Sequence, residues 1–263
     1  MAHGVLAPGR FDDPTALVLL PDELQREAKQ RATSVPSTLR ERLRHAYFQT
    51  QSVMMVARTV AIDDVIRAAG SAQLVILGAG LDGRAWRMAE LSKVSVFEVD
   101  HPDSQREKRE RAEKLAPVSA DIRFVPVDFE HDALDTALAA AGHDEARTTT
   151  WVWEGVVMYL AEKDIEATLA VLQRRSAPGS RLVIAYHVPA LILKVVGLLL
   201  KRVGEPLRSA FKPEQMRALL ARFGFDVLAD LALPSIGRTL SPEIGKATER
   251  VKHMHVVSAE RVK

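Results

Sequence analysis

Residues 73–100 constrain the fold of this chain more than any other stretch. A short apolar run leads into the glycine-rich residues 78–83, a helical segment runs from Arg84 to about Leu91, and a second apolar run ends in Asp100. Glycines let the backbone turn tightly and approach a ligand closely. The helix N-terminus behind the turn is expected to offer free amides to an anionic group. This order of strand, glycine turn, helix, strand and acid predicts a nucleoside-cofactor site at the head of a doubly wound sheet.

Two functions fit this stretch equally well. The sequence GAGLDG at residues 78–83 matches G-x-G-x-x-G, and Asp100 lies about 20 residues beyond the turn, as in NAD-binding proteins. Methyltransferases that use S-adenosyl-L-methionine have the same order of strand, glycine turn, strand and acid. The stretch alone therefore leaves both an oxidoreductase and a methyltransferase open.

Length and composition narrow the class of protein. The 263 residues suffice for one domain with extensions, and the formal net charge of +2 gives no support for nucleic-acid binding. The lack of cysteine excludes a disulfide framework, a thiolate nucleophile and a zinc–thiolate site. The N-terminus lacks the pattern of a secretory signal, and the apolar stretch 188–200 is interrupted and too short to span a bilayer. We therefore expect a cytoplasmic protein without a membrane span.

Periodicity divides the chain into two parts. Residues 1–70 are predicted to form a helical extension packed on the core, with two helices within residues 37–69. Residues 71–263 alternate between helices and about seven strands, which predicts an α/β fold with a doubly wound, mostly parallel sheet. An apolar helical insertion at about residues 189–212 interrupts this order. Its run at residues 190–203 is interpreted as either a core or interface helix or a lid over an apolar substrate.

Acids follow three successive strands of the predicted sheet. They are Asp100, Asp128 and Glu154. The carboxyl ends of parallel strands meet at one edge, where doubly wound sheets bind ligands. Asp128 is followed by Phe129, and an acid beside an aromatic ring suits an adenine base. The three acids therefore predict a ligand-binding edge.

A set of motifs in a fixed order makes the chain similar to a known family. The motifs are RT at 58–59 with DD at 63–64, LGAGLDGRA at 77–85, FEVDHP at 97–102, VDF at 127–129 and EGVVMYL at 154–160. From about Phe11 to the C-terminus the chain resembles the leucine carboxyl methyltransferase-like family, whose bacterial branch includes O-methyltransferases of polyketide pathways. The resemblance implies a class I, Rossmann-like fold with an antiparallel last strand and an N-terminal helical extension. The threonine usual in the family's G-L-D-T-R is Gly83 here, and we expect this change to loosen the loop.

The resemblance also implies a set of cofactor contacts. Arg58 would hold the carboxylate of S-adenosyl-L-methionine, Gly78 and Gly80 would pass beneath its methionine part, and Glu154 would lie by its amino group and sulfonium. Asp100 would hold the ribose, with the adenine between Asp128 and Phe129. The full set of expected cofactor-binding residues is Arg58, Gly78, Ala79, Gly80, Asp82, Asp100, Asp128, Phe129 and Glu154. The product would be S-adenosyl-L-homocysteine.

Methyl transfer is an in-line displacement, so the main task of the enzyme is to align a dehydrated nucleophile. A carboxylate acceptor needs no base, whereas a phenol or alcohol would benefit from one. Tyr159 and His187, after the fourth and fifth strands, are the candidate catalytic residues, and a structural role for either stays open. His253 and His255 form an H-x-H that a strand would place on one face. They lack a third ligand, so we expect no metal.

The preferred function is methyl transfer to a carboxylate or hydroxyl of a small, partly apolar, polyketide-like acceptor. The apolar residues 190–203 and the absence of a marked protein-docking surface favour a small molecule. The alternatives are a protein C-terminal carboxyl methyltransferase, an NAD(P)-dependent oxidoreductase and a non-catalytic S-adenosylmethionine-binding protein. An oxidoreductase would leave Arg58, Asp128 and Glu154 without a role. A homodimer stays open.

Overall fold

The computed structural model describes residues 11–34, 36–128, 132–191, 193 and 207–262. Phe129 and most of the apolar run at residues 190–203 lie outside the described residues. The described helices are α1 (Ala16–Leu19), α2 (Asp22–Thr33), α3 (Leu39–Ala69), α4 (Arg84–Arg87), α5 (Pro102–Ala112), α6 (Leu134–Ala140), α7 (Glu162–Arg174), α8 (Pro213–Arg222), α9 (Leu233–Leu240) and α10 (Pro242–Thr248). The described strands are β1 (Gln73–Leu77), β2 (Ser95–Asp100), β3 (Asp121–Pro126), β4 (Thr149–Trp153), β5 (Arg181–His187), β6 (Phe225–Ala232) and β7 (Met254–Arg261).

All the described strands form one seven-stranded sheet in the order β3-β2-β1-β4-β5-β7-β6. Neighbours from β3 to β5 pair in parallel, and β7 is antiparallel to both β5 and β6. The chain runs outward from β1 to β3 and then returns to β4. This confirms the predicted doubly wound, mostly parallel sheet with an antiparallel last strand. The reversal between β1 and β4 is the place where such sheets bind ligands.

Helices cover both faces of the sheet, and this explains why its central strands are apolar throughout. Every residue of β1 and β4 is buried. Along β1, Leu74 and Ile76 belong to the core layer that contains α3, whereas Val75 and Leu77 belong to the layer that contains α7 and α8. Within the described ranges, none of the helices combines the length and apolar character that a membrane crossing requires.

The long N-terminal helix α3 delivers site residues to the edge of the sheet. It is one helix of 31 residues, so the prediction of two helices was wrong. A capping box begins it: the amide of Glu41 donates to Thr38 Oγ1 at 3.2 Å, and the amide of Thr38 donates to Glu41 Oε2 at 3.0 Å. No glycine or proline interrupts it before Gly70, which ends it in the left-handed conformation. Its buried half contains Arg58 and Asp63.

Candidate functional site

The glycine turn after β1 folds onto the end of β2. The amides of Gly78 and Ala79 both donate to the carbonyl oxygen of Val99, at 2.8 and 3.0 Å. The amide of Gly80 donates to Oδ2 of Asp100 at 2.5 Å. Asp100, predicted to hold the ribose, therefore also fixes the shape of the turn.

The helix after the turn differs from the prediction. α4 is a single turn, not a helix that reaches Leu91, and its first amide, that of Arg84, donates to Asp82 Oδ1 at 2.8 Å. The amides expected to meet an anionic ligand are thus largely used within the protein, and a carboxylate stands beside them. This arrangement is unfavourable for the pyrophosphate of a dinucleotide, which needs free amides at a helix N-terminus. The oxidoreductase hypothesis loses its main physical support here.

Arg84 lies buried beneath the turn and joins three carboxylates. Its Nε donates to Asp63 Oδ1 at 2.8 Å, its Nη1 pairs with Asp82, and its Nη2 lies 3.0 Å from Glu154 Oε2. Burial alone would lower the pKa of Arg84, but Asp82, Glu154 and Asp63 raise it well above the ordinary value. The side chain is only 2% exposed, so this fixed charge organises the site from inside. No role was predicted for Arg84 from the sequence, although the arginine of G-L-D-G-R was visible in the motif.

Neighbouring cations compensate the buried carboxylates of Asp63 and Asp82. Arg87 binds Asp63 through two nitrogens, with Nη1 at 2.7 Å from Oδ2 and Nη2 at 3.1 Å from Oδ1. Burial alone would raise the pKa of Asp82, but Arg84 and Lys108 outweigh it and hold that pKa below the usual value. Both acids therefore belong to one buried network of paired side chains.

Arg58 and Glu154 meet above this network. Nε of Arg58 donates to Glu154 Oε1 at 2.6 Å, so Glu154 bridges Arg58 and Arg84. No other hydrogen bond joins the Arg58 guanidinium to a described residue, so its terminal nitrogens could hold a ligand carboxylate. Gly78 lies in the same part of the site. Its φ is 68°, and a Cβ on this residue would overlap a methyl group of Val156. Only glycine fits at that position.

These residues surround a cavity of about 350 Å³. Its wall contains Phe11, Asp13, Ala16, Met55, Arg58, Thr59, Ile76, Gly78, Ala79, Gly80, Leu81, Asp82, Gly83, Arg84, Arg87 and Glu154. Most of the expected cofactor-binding residues are brought together here. Asp100 reaches the cavity through its bond to Gly80, whereas Asp128 follows the neighbouring strand β3 and does not line it. Phe129 lies outside the described residues.

The charges at the cavity suit S-adenosyl-L-methionine. The paired side chains are the cations Arg58, Arg84 and Arg87 and the anions Asp13, Asp63, Asp82 and Glu154. Anions exceed cations by one in this network, and the ligand carries an ammonium and a sulfonium against a single carboxylate. The residues present therefore fit the cofactor both in overall charge and in the cation that faces its carboxylate.

His187 ends β5, on the far side of β4 from the glycine turn. Its ring stacks on His253, with centroids 5.2 Å apart and an angle of 25° between the planes. Burial, helped by His253 and the charge of Arg58, lowers the pKa of His187 to about 4, and burial also lowers the pKa of His253. The Nδ1 atom of His187 is buried without a hydrogen-bond partner among the described residues. His187 is therefore a neutral imidazole at neutral pH.

Tyr159 lies in a short 3-10 turn after β4 and does not line the cavity. The backbone links it to His187. The amide of Arg208 donates to the carbonyl oxygen of Met158 at 2.8 Å, and the amide of Phe211 donates to that of His187 at 2.9 Å. Residues 208–211, the last part of the predicted insertion, thus connect the backbone next to Tyr159 with that of His187.

The prediction that His253 and His255 share one strand face was wrong, because β7 begins at Met254 and His253 precedes it. His255 Nδ1 lies 2.9 Å from Asp230 Oδ1, and the hydroxyl of Tyr186 donates to Asp230 Oδ2 at 2.6 Å. The two histidines thus have separate partners. In the part of the chain that the structure describes, no group of three His, Asp or Glu side chains is placed to hold a metal.

Comparison with known proteins agrees with this geometry. Residues 2–173 match the sequence model of the leucine carboxyl methyltransferase family. A Streptomyces coelicolor protein, named as a candidate S-adenosyl-L-methionine-dependent methyltransferase, is 42% identical over 132 residues, which are 49% of this chain and 46% of that protein. The chain spans about half the length of the curated relatives it matches.

Solved structures with low sequence identity share the fold. A DUF574 family protein from Streptomyces avermitilis has a TM-score of 0.57 at 14% identity, over 98% of this chain and 95% of that one. Magnesium protoporphyrin IX methyltransferase from Synechocystis PCC 6803, solved with SAH (S-adenosylhomocysteine) bound, has a TM-score of 0.51 at 13% identity, over 91% and 95% of the two chains. Both similarities concern the fold alone.

Proposed function

Because the chain belongs to the leucine carboxyl methyltransferase family, whose cofactor is S-adenosyl-L-methionine, we propose that it methylates a carboxylate of a small, partly apolar molecule. The bound cofactor supplies an electrophilic methyl group on a sulfonium. The observation that carries the choice of a carboxylate is His187. It is buried at the end of β5, the strand next to β4, its Nδ1 has no hydrogen-bond partner among the described residues, and burial lowers its pKa to about 4.

The cofactor-binding roles follow from the charges of the side chains. The terminal nitrogens of Arg58 bind the cofactor's carboxylate, and Glu154 attracts its ammonium and sulfonium. Asp100 accepts hydrogen bonds from the ribose hydroxyls while it keeps its bond to the amide of Gly80. Asp128 and Phe129, beyond the next strand, take the adenine. The buried Arg84 holds Glu154 in place before any ligand binds, which limits the reorganisation that binding requires.

His187 is a poor base for a hydroxyl acceptor. An imidazole whose pKa is about 4 takes up little of the proton of a phenol, whose ordinary pKa is about 10. A carboxylate is already ionised at neutral pH and needs no proton removal. A neutral imidazole can still donate one hydrogen bond to an acceptor oxygen and orient it. We therefore assign orientation of the acceptor, not proton removal, to His187, and the same role to Tyr159.

The test combines binding with an acceptor screen. Calorimetric titration of the purified chain with S-adenosylhomocysteine, and separately with NADH, identifies the cofactor. Transfer of a labelled methyl group is then measured on matched pairs of apolar carboxylic acids and phenols, and on a peptide with a free C-terminal leucine. Methyl esters release the label as methanol in mild alkali, whereas aryl ethers do not.

We expect binding of S-adenosylhomocysteine and alkali-labile product from the carboxylic acids. Product from the phenols alone would contradict the carboxylate proposal, and product from the peptide alone would make a protein C-terminus the acceptor. Binding of S-adenosylhomocysteine without any product across the panel would favour a non-catalytic binding protein. Binding of NADH in its place would contradict the whole proposal.

A further inference from the structure

Residues 11–19, called the N-terminal strap here, form one wall of the cofactor cavity. Phe11, Asp13 and Ala16 of the strap line it together with the glycine turn. Among the described residues, no backbone hydrogen bond joins the strap to that turn. Side-chain contacts therefore hold this wall in place, among them the bond that Arg111 Nε donates to the carbonyl oxygen of Leu19 at 2.7 Å.

Gly83 creates the space for that packing. Its φ is −104°, a backbone conformation that any residue adopts, so the chain geometry does not demand glycine there. A Cβ at position 83 would, however, overlap the hydroxyl of Thr15 and lie 3.2 Å from its Cβ. We name this space the Gly83 notch. It is already filled, because the Thr15 side chain occupies it and is only 2% exposed.

The strap holds Thr15 firmly in the notch. Thr15 donates to Asp13 Oδ1 from its hydroxyl at 2.6 Å and from its amide at 3.0 Å. The other oxygen of Asp13 lies 3.7 Å from Arg87 Nε, and the Arg87 guanidinium lies 5.0 Å from the centre of the Phe11 ring. Arg87 in turn binds Asp63 of the buried network. The residue that fills the notch is thus tied to the residues that line the cavity.

We propose that Thr15 is a positioning residue for the cofactor: by filling the Gly83 notch it fixes the strap as the wall of the cofactor cavity. The loop was expected to loosen because glycine replaces the threonine usual at position 83. In this chain a threonine from the strap, 68 positions earlier, supplies the missing bulk and hydroxyl. Thr15 and Gly83 act as one unit. The identity of the ligand in this inference rests on the proposed function, whereas the packing of Thr15 into the Gly83 notch is independent of it.

Two substitutions and their combination test this unit. Gly83→Ala puts a methyl group where the Thr15 hydroxyl lies and should expel the strap, whereas Thr15→Gly empties the notch. Each single variant should weaken S-adenosylhomocysteine binding by about tenfold or more in calorimetry, which corresponds to about 1.4 kcal/mol. In the double variant the new methyl group refills the notch, so affinity should recover to within about threefold of the parent chain. Thr15→Ser, which keeps the hydroxyl, should bind as the parent does.

Hydrogen exchange of the ligand-free protein separates this inference from the proposed function. Amides of residues 11–19 should exchange faster in Gly83→Ala than in the parent chain and slow again in the double variant, whatever ligand the protein binds. Asp12→Ala, an exposed change within the strap, is the matched control and should alter neither readout. A defect in Gly83→Ala that Thr15→Gly does not relieve would overturn the proposal, as would unchanged exchange in both single variants. If Gly83→Ala does not fold, Thr15→Gly against Thr15→Ser decides, and equal affinities would overturn it.

Discussion

The two halves of the carboxyl edge of the sheet are built differently. In the cofactor half, at the ends of β1, β2 and β4, the buried Arg84 alone contacts three carboxylates. In the other half, at the end of β5 and the start of β7, burial lowers the pKa of both His187 and His253, so their imidazoles are neutral at neutral pH. We call it the acceptor half, because we propose that the acceptor binds there. The two halves are adjacent, since β4 pairs with β5.

The difference matches the roles that we propose for the two halves. S-adenosyl-L-methionine always binds with the same ammonium, carboxylate and sulfonium, so a frame of buried charges can be set in advance. This ionic frame consists of Arg58, Asp63, Asp82, Arg84 and Glu154. The acceptor carries the nucleophile, whose reactivity increases when water and counter-ions are kept away. In the proposed mechanism a neutral imidazole would orient that oxygen without neutralising it. The proposed function would therefore account for both the fixed charges of the cofactor half and the neutral imidazoles of the acceptor half.

The largest expected effect tests the cofactor half at Arg84, the centre of its ion pairs. Arg84→Met leaves Asp63, Asp82 and Glu154 without their shared cation in a buried site. We expect a loss of about 3–5 kcal/mol in the free energy of unfolding, measured by urea denaturation, because breaking a buried ion pair leaves uncompensated charge. Arg106→Ala removes a pair whose two side chains are each 66% exposed, and it should cost less than about 1 kcal/mol. Equal losses in both variants would mean that the frame contributes no more than a surface pair.

A second prediction concerns the pH dependence of the cofactor half. Burial raises the pKa of Glu98 to about 7, although Lys108 lies 2.6 Å away and opposes the shift. Between the ordinary value of 4.5 and pH 7 the folded state keeps a proton that the unfolded chain releases, so stability falls as the pH rises through this window. Glu98→Gln should remove about 1–3 kcal/mol of this dependence, as measured by urea unfolding at pH 5 and pH 8. An identical slope in the variant would show that Glu98 is ionised throughout.

The acceptor half should respond to pH in the opposite sense. The pKa of His187 falls from 6.5 to about 4 on folding, so its contribution is complete above pH 6.5 and is lost as the pH falls toward 4. His187→Asn should reduce the acid sensitivity of the unfolding free energy between pH 6.5 and 4 by about 1–3 kcal/mol. His101→Asn, which alters an exposed histidine, is the control and should leave it unchanged. If the unfolding free energy falls as steeply with decreasing pH in His187→Asn as in the parent chain, His187 is not a neutral, buried group.

The features that could be predicted are those that residues close together in the sequence determine. The glycine turn and the acids after β2, β3 and β4 follow from strand periodicity, and the sheet order confirmed where those strand ends lie. The family resemblance supplied Arg58, which local pattern alone would have assigned to a solvated helix surface. The cofactor roles of these residues stay predictions. Features that neighbouring residues determine can therefore be recognised from a single sequence.

Features that depend on long-range packing were missed. Arg84 has an ordinary position after a turn, and nothing near it reveals that Asp63 and Glu154, from other elements, meet it in the interior. The Gly83 notch needs Thr15, which the fold alone brings near. The two helices expected within residues 37–69 form one helix because no glycine or proline separates them. His253 lies one residue before β7 and therefore outside the strand. Each miss concerns a partner or a boundary that only the folded chain determines.

The smallest expected effect tests whether the cofactor half needs its charge as well as its shape. Asp100→Asn keeps the size of the side chain and one oxygen for the amide of Gly80, but it removes the negative charge that strengthens bonds to ribose hydroxyls. It also replaces the oxygen that accepts from the amide of His101 at 2.7 Å. We expect S-adenosylhomocysteine affinity to fall about tenfold in calorimetry, with a loss of about 1 kcal/mol in unfolding free energy from the bond to His101. Asp103→Asn, exposed in the next helix, should leave affinity unchanged. If Asp100→Asn binds as the parent chain does, the ribose is held elsewhere and the ionic frame ends at Glu154 and Arg58.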